Sequence, residues 1–162
     1  MKKSYLRILT IIFLSMVSIS IVSCSDEDQN EVETTITVND LPSAAKDFLN
    51  KYFRDYEISK IIMNEEDNLT LYEVNLAEGY QIIFNSSGNW TQVDAPYGKT
   101  IPTGFIPEPI LQTLNYQYNG YGITEINTVG ENYHIVLSNN QGGDSIELEF
   151  NQSGEITSTS QQ

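Results

Sequence analysis

The sequence predicts an α+β fold made of two tandem units, each a helix packed on an antiparallel sheet of about four strands. Three observations lead there. The chain repeats itself, each copy opens on a proline-led apolar stripe of helical spacing, and alternating segments separated by turn formers follow each stripe.

The repeat appears when Leu41 to Ile61 is written above Ile106 to Ile126, an offset of 65 residues. Pro42 then falls on Pro107, Leu49 on Leu114, Asn50 on Asn115, Tyr56 on Tyr121, Ile58 on Ile123 and Ile61 on Ile126. Further along, Phe84-Asn85-Ser86-Ser87-Gly88 matches Phe150-Asn151-Gln152-Ser153-Gly154 at an offset of 66. In the first copy Asp40 and Ser43 flank a proline suited to a helix's first turn, where the missing N–H is no loss. Ala44, Phe48, Leu49, Tyr52 and Phe53 recur at helical spacing. The second helix reads Pro107-Glu108-Pro109-Ile110-Leu111 and runs through Leu114 to Tyr118, with Asn119-Gly120 as its stop. Strand signals come next. Residues 58–63 alternate, as do Leu69 to Leu76 and Ser145 to Phe150, the pattern of a sheet with one face on a core and one in water. Glu66-Asp67-Asn68, Glu78-Gly79, Ser87-Gly88-Asn89, Asn139 to Gly143 and Ser153-Gly154 supply the turns. The units so delimited span 38–95 and 100–159, joined by a proline-stiffened connector from Pro96 to Pro107. At about 60 residues neither has enough apolar residues to be stable alone, so they are expected to dock, merging or abutting their sheets.

Residues 1–23 read as a signal peptide. A basic start (Lys2, Lys3, Arg7) precedes an apolar stretch from Ile8 to Val22. That stretch is interrupted and shorter than the roughly 18 to 20 apolar residues that span a bilayer. It ends Ile21-Val22-Ser23-Cys24, which resembles a bacterial lipobox, so the chain's single cysteine, Cys24, is expected to carry the lipid. Lipidation would consume its thiol. Residues 24–37, opening with the acidic run Ser25-Asp26-Glu27-Asp28, are expected to be a disordered tether. The run also resembles the export signal of surface-displayed lipoproteins. Localisation is accordingly expected at the cell envelope, lipid-anchored to the outer membrane, facing the surface or the periplasm.

Charge narrows the partners. Beyond the signal the chain holds five basic and 22 acidic side chains, a net −17. Nucleic acid and anionic membrane surfaces are disfavoured by like-charge repulsion, so contact with the membrane is expected through the lipid anchor alone.

The structural signals carry a family likeness. Leu41-Pro42, Tyr72-Glu73-Val74, Phe84-Asn85 with Gly88 and Trp90, and Ile101-Pro102 with Ile106-Pro107 resemble the PepSY-like lipoproteins of Bacteroidetes. Those are similar to the β-lactamase-inhibitor-protein fold, which implies two helix-plus-sheet units over residues 38 to 159. The second unit departs in placing Ile156 where the first has Trp90. The resemblance implies no enzymatic activity, and the inhibitor label rests on fold analogy.

No catalytic apparatus is legible. His134 is the only histidine and the one thiol is expected to be lipidated, so no Cys–His or two-histidine metal arrangement can be built; on its alternating segment His134 reads as lying on a strand's wetter face, not in a catalytic set. Ser43 and Lys46 read as a helix start with an exposed lysine. Glu65, Glu66, Asp67, Glu73 and Glu78 read as solvated turns and strand faces, and none follows the spacing of a calcium loop. No metal and no cofactor is expected. Aromatic side chains are left as recognition candidates: Trp90, Tyr97, Tyr116 and Tyr133, with Tyr118 and Tyr121 assigned to packing. The expected function is a non-catalytic binding module for an unknown protein or peptide. An inhibitor of a secreted hydrolase is the alternative, and a cryptic enzyme the remote one.

Overall fold

A computed structural model describes residues 32–66, 69–139 and 144–161. In chain order, strand β1 (Val32–Thr35) and a 3₁₀ turn (Val38–Asp40) lead into helix α1 (Ser43–Tyr52). Strands β2 (Ile58–Glu66), β3 (Leu69–Leu76), β4 (Gln81–Asn85) and β5 (Trp90–Asp94) follow. Helix α2 (Glu108–Gln117) then precedes β6 (Tyr121–Val129), β7 (Asn132–Asn139), β8 (Ser145–Phe150) and β9 (Ile156–Gln161).

Among the described residues the nine strands form one antiparallel sheet in the order β1 to β9, every strand beside its sequence neighbours. This corrects the expectation of two tandem helix-on-sheet units. The order helix then four strands does occur twice along the chain, but the strands are not divided into two sheets. The junction is direct pairing of β5 with β6, Gln92 opposite Asn127, Val93 opposite Ile126 and Asp94 opposite Glu125. The Ala95 N–H extends it by donating to the Thr124 carbonyl at 2.8 Å. Two separate sheets would leave β5 and β6 as bare edges, and pairing them satisfies both rows of backbone groups. Residues 32–35 fall inside the expected tether but are the edge strand β1, with Thr35 opposite Ile62 and Glu33 opposite Asn64.

Both helices lie on one face of this sheet. Ala45 and Leu49 of α1 and Ile110 and Leu114 of α2 are buried against Ile61, Val74, Ile82, Phe84, Val93, Ile126, Ile135, Leu148 and Phe150. One cluster holds residues from both ends of the chain, so the core is continuous across the junction. The connector belongs to it. Ile101 and Ile106 are buried, and Tyr80 Oη donates to the Thr100 carbonyl at 3.1 Å.

The repeated Phe-Asn-x-x-Gly turns seat the helices. Asn85 Oδ1 accepts the Ser87 and Asn89 N–H groups at 3.0 and 3.1 Å, and Asn151 Oδ1 accepts those of Ser153 and Glu155 at 3.0 Å each. Each turn closes on a glycine of positive φ, +81° at Gly88 and +80° at Gly154. A Cβ on Gly88 would stand 2.9 Å from the Ala45 nitrogen, and one on Gly154 2.6 Å from the Pro109 carbonyl carbon. The hairpins therefore press backbone to backbone on the first turns of α1 and α2.

Candidate functional site

The helix-covered face holds an aromatic group where α1, the connector and β7 meet. Trp90, half-buried at the head of β5, stacks near Phe105 (ring centroids 5.1 Å apart), Phe48 (6.3 Å) and Tyr133 (6.4 Å). Two sequence candidates, Trp90 and Tyr133, are thus brought together, in packing continuous with the core. The other two stand apart. Tyr97 is 96% exposed on the connector and Tyr116 is 89% exposed on the outer side of α2. Cys24 and the acidic run Asp26 to Asp28 lie outside the described residues.

The opposite face carries neither helix, and register defines what it presents. Side chains alternate along each strand. One row across the sheet therefore reads Lys60, Asn75, Gln81, Asp94, Glu125, Val136, Glu147 and Ser160, each the Cα partner of the next. The adjacent row runs through Ile62, Glu73, Ile83, Gln92, Asn127, His134, Glu149 and Ser158. Ile83 is buried although it stands outside the main core cluster, and Asn127 is only 6% exposed. These two are covered by the neighbouring side chains, while Glu73, Asp94 and Glu125 around them stay half-buried.

Carboxylates dominate that middle, each held by a neutral amide. Glu73 Oε1 accepts Asn75 Nδ2 and Gln81 Nε2, both at 2.7 Å. Asp94 Oδ2 accepts Gln92 Nε2 at 2.7 Å, and Glu125 Oε1 accepts Asn127 Nδ2 at 2.6 Å. No lysine or arginine among the described residues lies within ion-pair distance of Glu73, Asp94 or Glu125; His134 Nε2 stands 3.8 Å from Glu147 Oε2. Asp94 Oδ1, Asn127 Oδ1 and Asn64 Oδ1 are buried without a hydrogen-bond partner. All three are acceptors and all belong to this face. Loss of hydration, together with the Glu125 and Glu73 charges, pushes the Asp94 carboxyl up to about 7, against the lowering effect of the Gln92 amide. An open groove of about 560 Å³ continues from this face, lined by Pro96, Tyr97, Lys99, Thr124, Ser138 and Ser145. Among the described residues no three acidic, histidine or cysteine side chains converge as a metal site would require.

Asp94, Glu125 and Asn127 were not among the sequence candidates. Gln92-Val93-Asp94 and Glu125-Ile126-Asn127 each read polar, apolar, polar, which places the polar residues on one face. Nothing local says that the two triplets pair across a helix and a connector.

A family described as "Putative beta-lactamase-inhibitor-like, PepSY-like" matches residues 70–158. The chain belongs to this family. PepSY-like membership agrees with solved structures of the same fold. A periplasmic protein of unknown function from Bacteroides vulgatus is 31% identical, with a TM-score of 0.70 over 81% of this chain and 99% of its own. A protein from Bacteroides thetaiotaomicron described as "putative calcium-regulated" and periplasmic is 24% identical, with a TM-score of 0.72 over 79% of this chain and 96% of its own. A second periplasmic protein from Bacteroides vulgatus is 23% identical, with a TM-score of 0.72 over 79% of this chain and 96% of its own. The last two likenesses concern the fold alone. Among curated proteins none matches this PepSY-like chain. The periplasmic description of the 31% identical neighbour agrees with a location in the cell envelope.

Proposed function

We propose that this PepSY-like chain is a non-catalytic binding module, tethered to the envelope by a lipid on Cys24, that takes a protein or peptide partner on the helix-free face of its sheet. The observation that carries the reading is the asymmetry of the sheet. One face is closed by α1 and α2, and the other presents an acidic band with unmet acceptors. Buried polar groups are ordinarily paired, so a concentration of unpaired ones on one face favours recognition there. The net charge of −17 beyond the signal favours a basic partner by long-range attraction.

Site-specific photocrosslinking in cells tests the face. A photoreactive residue at Lys60 or Glu149, exposed positions on the two cross-sheet rows, should yield protein adducts. The same residue at Asn50 of α1 or Gln112 of α2 should yield none. Adducts confined to the helix positions would overturn the reading. A captured hydrolase whose activity falls on binding would make the module an inhibitor. For the anchor, Cys24→Ala should release the protein from the membrane fraction and abolish acyl labelling; persistence of either rules the lipid out.

A further inference from the structure

We infer that Asp94 and Glu125, with Asn127 beside them, form the receptor for a lysine or arginine side chain of the partner. The inference rests on the reading of the helix-free face as the partner surface and names the chemistry at its centre.

Glu125 and Asp94 are direct cross-strand partners on β6 and β5, and like charges so placed destabilise a sheet. Neutral amides from Gln92 and Asn127 occupy one oxygen of each carboxylate and bring no positive charge. Asp94 Oδ1 stays without a partner. Asn127 is an observation independent of the acidic pair. The residue is 94% buried, its Nδ2 is fixed on Glu125 Oε1, and its Oδ1 is unpaired. Its place on the face, between Gln92 and His134 and two residues from Glu125, sets that amide oxygen beside the pair. Every unmet group here is an acceptor. Its complement is a group of several donors without acceptors that also brings positive charge, which ammonium and guanidinium supply best.

A divalent metal fits less well. Calcium takes six to eight oxygen ligands, whereas this point offers two carboxylates and one amide oxygen. An ammonium has three donors and a guanidinium five, arranged for carboxylates. No lysine or arginine of the described residues reaches the pair, so the cation must come from outside. An entering side chain supplies the positive charge that the Gln92 amide lacks, and it favours the ionised form of Asp94.

The test uses the full chain in detergent and two decapeptide pools, one with a central arginine and one with citrulline, of the same shape without the charge. Calorimetry should show binding of the arginine pool and at least tenfold weaker binding of the citrulline pool. Asp94→Asn and Glu125→Gln should each weaken arginine binding at least tenfold, while Asp47→Asn, exposed on α1 of the other side, leaves it within twofold. Glu125 from β6 and Glu73 from β3 are the charged groups facing Asp94, with neutral Gln81 from β4 and Gln92 on its own strand. Asp94, pushed up to about 7, governs the pH response. Binding should be about tenfold stronger at pH 8 than at pH 6, following the ionised fraction. Circular dichroism verifies that each variant is folded, and Glu125→Gln serves if Asp94→Asn is not. Arginine binding that is indifferent to both substitutions overturns the receptor, and crosslinks at Lys60 and Glu149 would still leave the face as the partner surface. Calcium chloride binding that those substitutions abolish, with no arginine binding, also overturns it and makes the point a metal site. Crosslinks on the helix side alone remove the underlying reading as well.

Discussion

Asp94 faces Glu125 across the β5–β6 ladder, in surroundings that already disfavour charge, so ionisation of Asp94 works against folding. The carboxyl of Asp94 is raised in the folded chain and ordinary in the unfolded one. Between about pH 4 and pH 7 the folded state therefore holds the extra proton, and stability falls as pH rises through that window. Asp94→Asn removes the ionisation and keeps the shape. It should match the parent near pH 4.5 and exceed it by about 1–2 kcal/mol at pH 8 in urea unfolding, a figure reduced for partial exposure. A gain of equal size at both pH values would mean that charge is not the cause. Little of this residue-scale chemistry was legible in the sequence. Strand alternation put Glu73 on a solvated face, and it does lie on the helix-free face. The pairing that makes Asp94 unusual joins positions 31 residues apart, and that separation has no local signature.

At the scale of elements, the hairpin glycines differ from the other turn glycines in what surrounds them. Gly154 has φ +80° and no room, with the Pro109 backbone 2.6 Å from the place a Cβ would take. Gly130 has φ +64° and open space around it. Gly154→Ala should therefore cost about 2–4 kcal/mol, the left-handed conformation plus a displaced helix start, against about 1 kcal/mol for Gly130→Ala. Urea midpoints of the two variants decide it, and equal losses would mean that the contact with α2 adds nothing. The hydroxyl of Thr113 strengthens the expectation, because it donates to the Gly154 carbonyl at 2.8 Å and ties the turn to α2. Helices, strands and these turns were readable because each is set by local spacing. The sequence placed Pro42 and Pro107 in the first helical turn; the structure puts each at the cap, one residue before the helix. The function of the turn glycines as helix seats was not readable, since it depends on which element packs above each hairpin.

At the scale of the molecule, the junction decides how the chain unfolds. A repeat in sequence invites two units with two sheets, but backbone pairing between β5 and β6 and a core drawn from both helices make one structure. The likeness of the two halves was legible because matching residues recur at offsets of 65 and 66 residues. That the units must dock was legible from their small size, but the β5–β6 pairing that fuses them was not, because a strand's alternation says which face is buried and not which strand lies alongside. Trp90, the chain's only tryptophan, reports on the union directly. Its ring lies against Phe48 of α1, Phe105 of the connector and Tyr133 of β7, so its fluorescence senses both halves at once. If the sheet and core are continuous, loss of this fluorescence and loss of far-ultraviolet dichroism should follow one coincident transition in urea. Ile126 of β6 is fully buried opposite Val93, and Ile126→Ala leaves a cavity at the junction that should cost about 2–5 kcal/mol. In a single cooperative unit that loss shifts both probes together, with the transition still sharp. In two loosely joined units it would advance the dichroism of the second half while part of the first persisted, giving a biphasic curve. Two separated transitions in the parent or in Ile126→Ala would show that the nine strands share a sheet without sharing a folding unit.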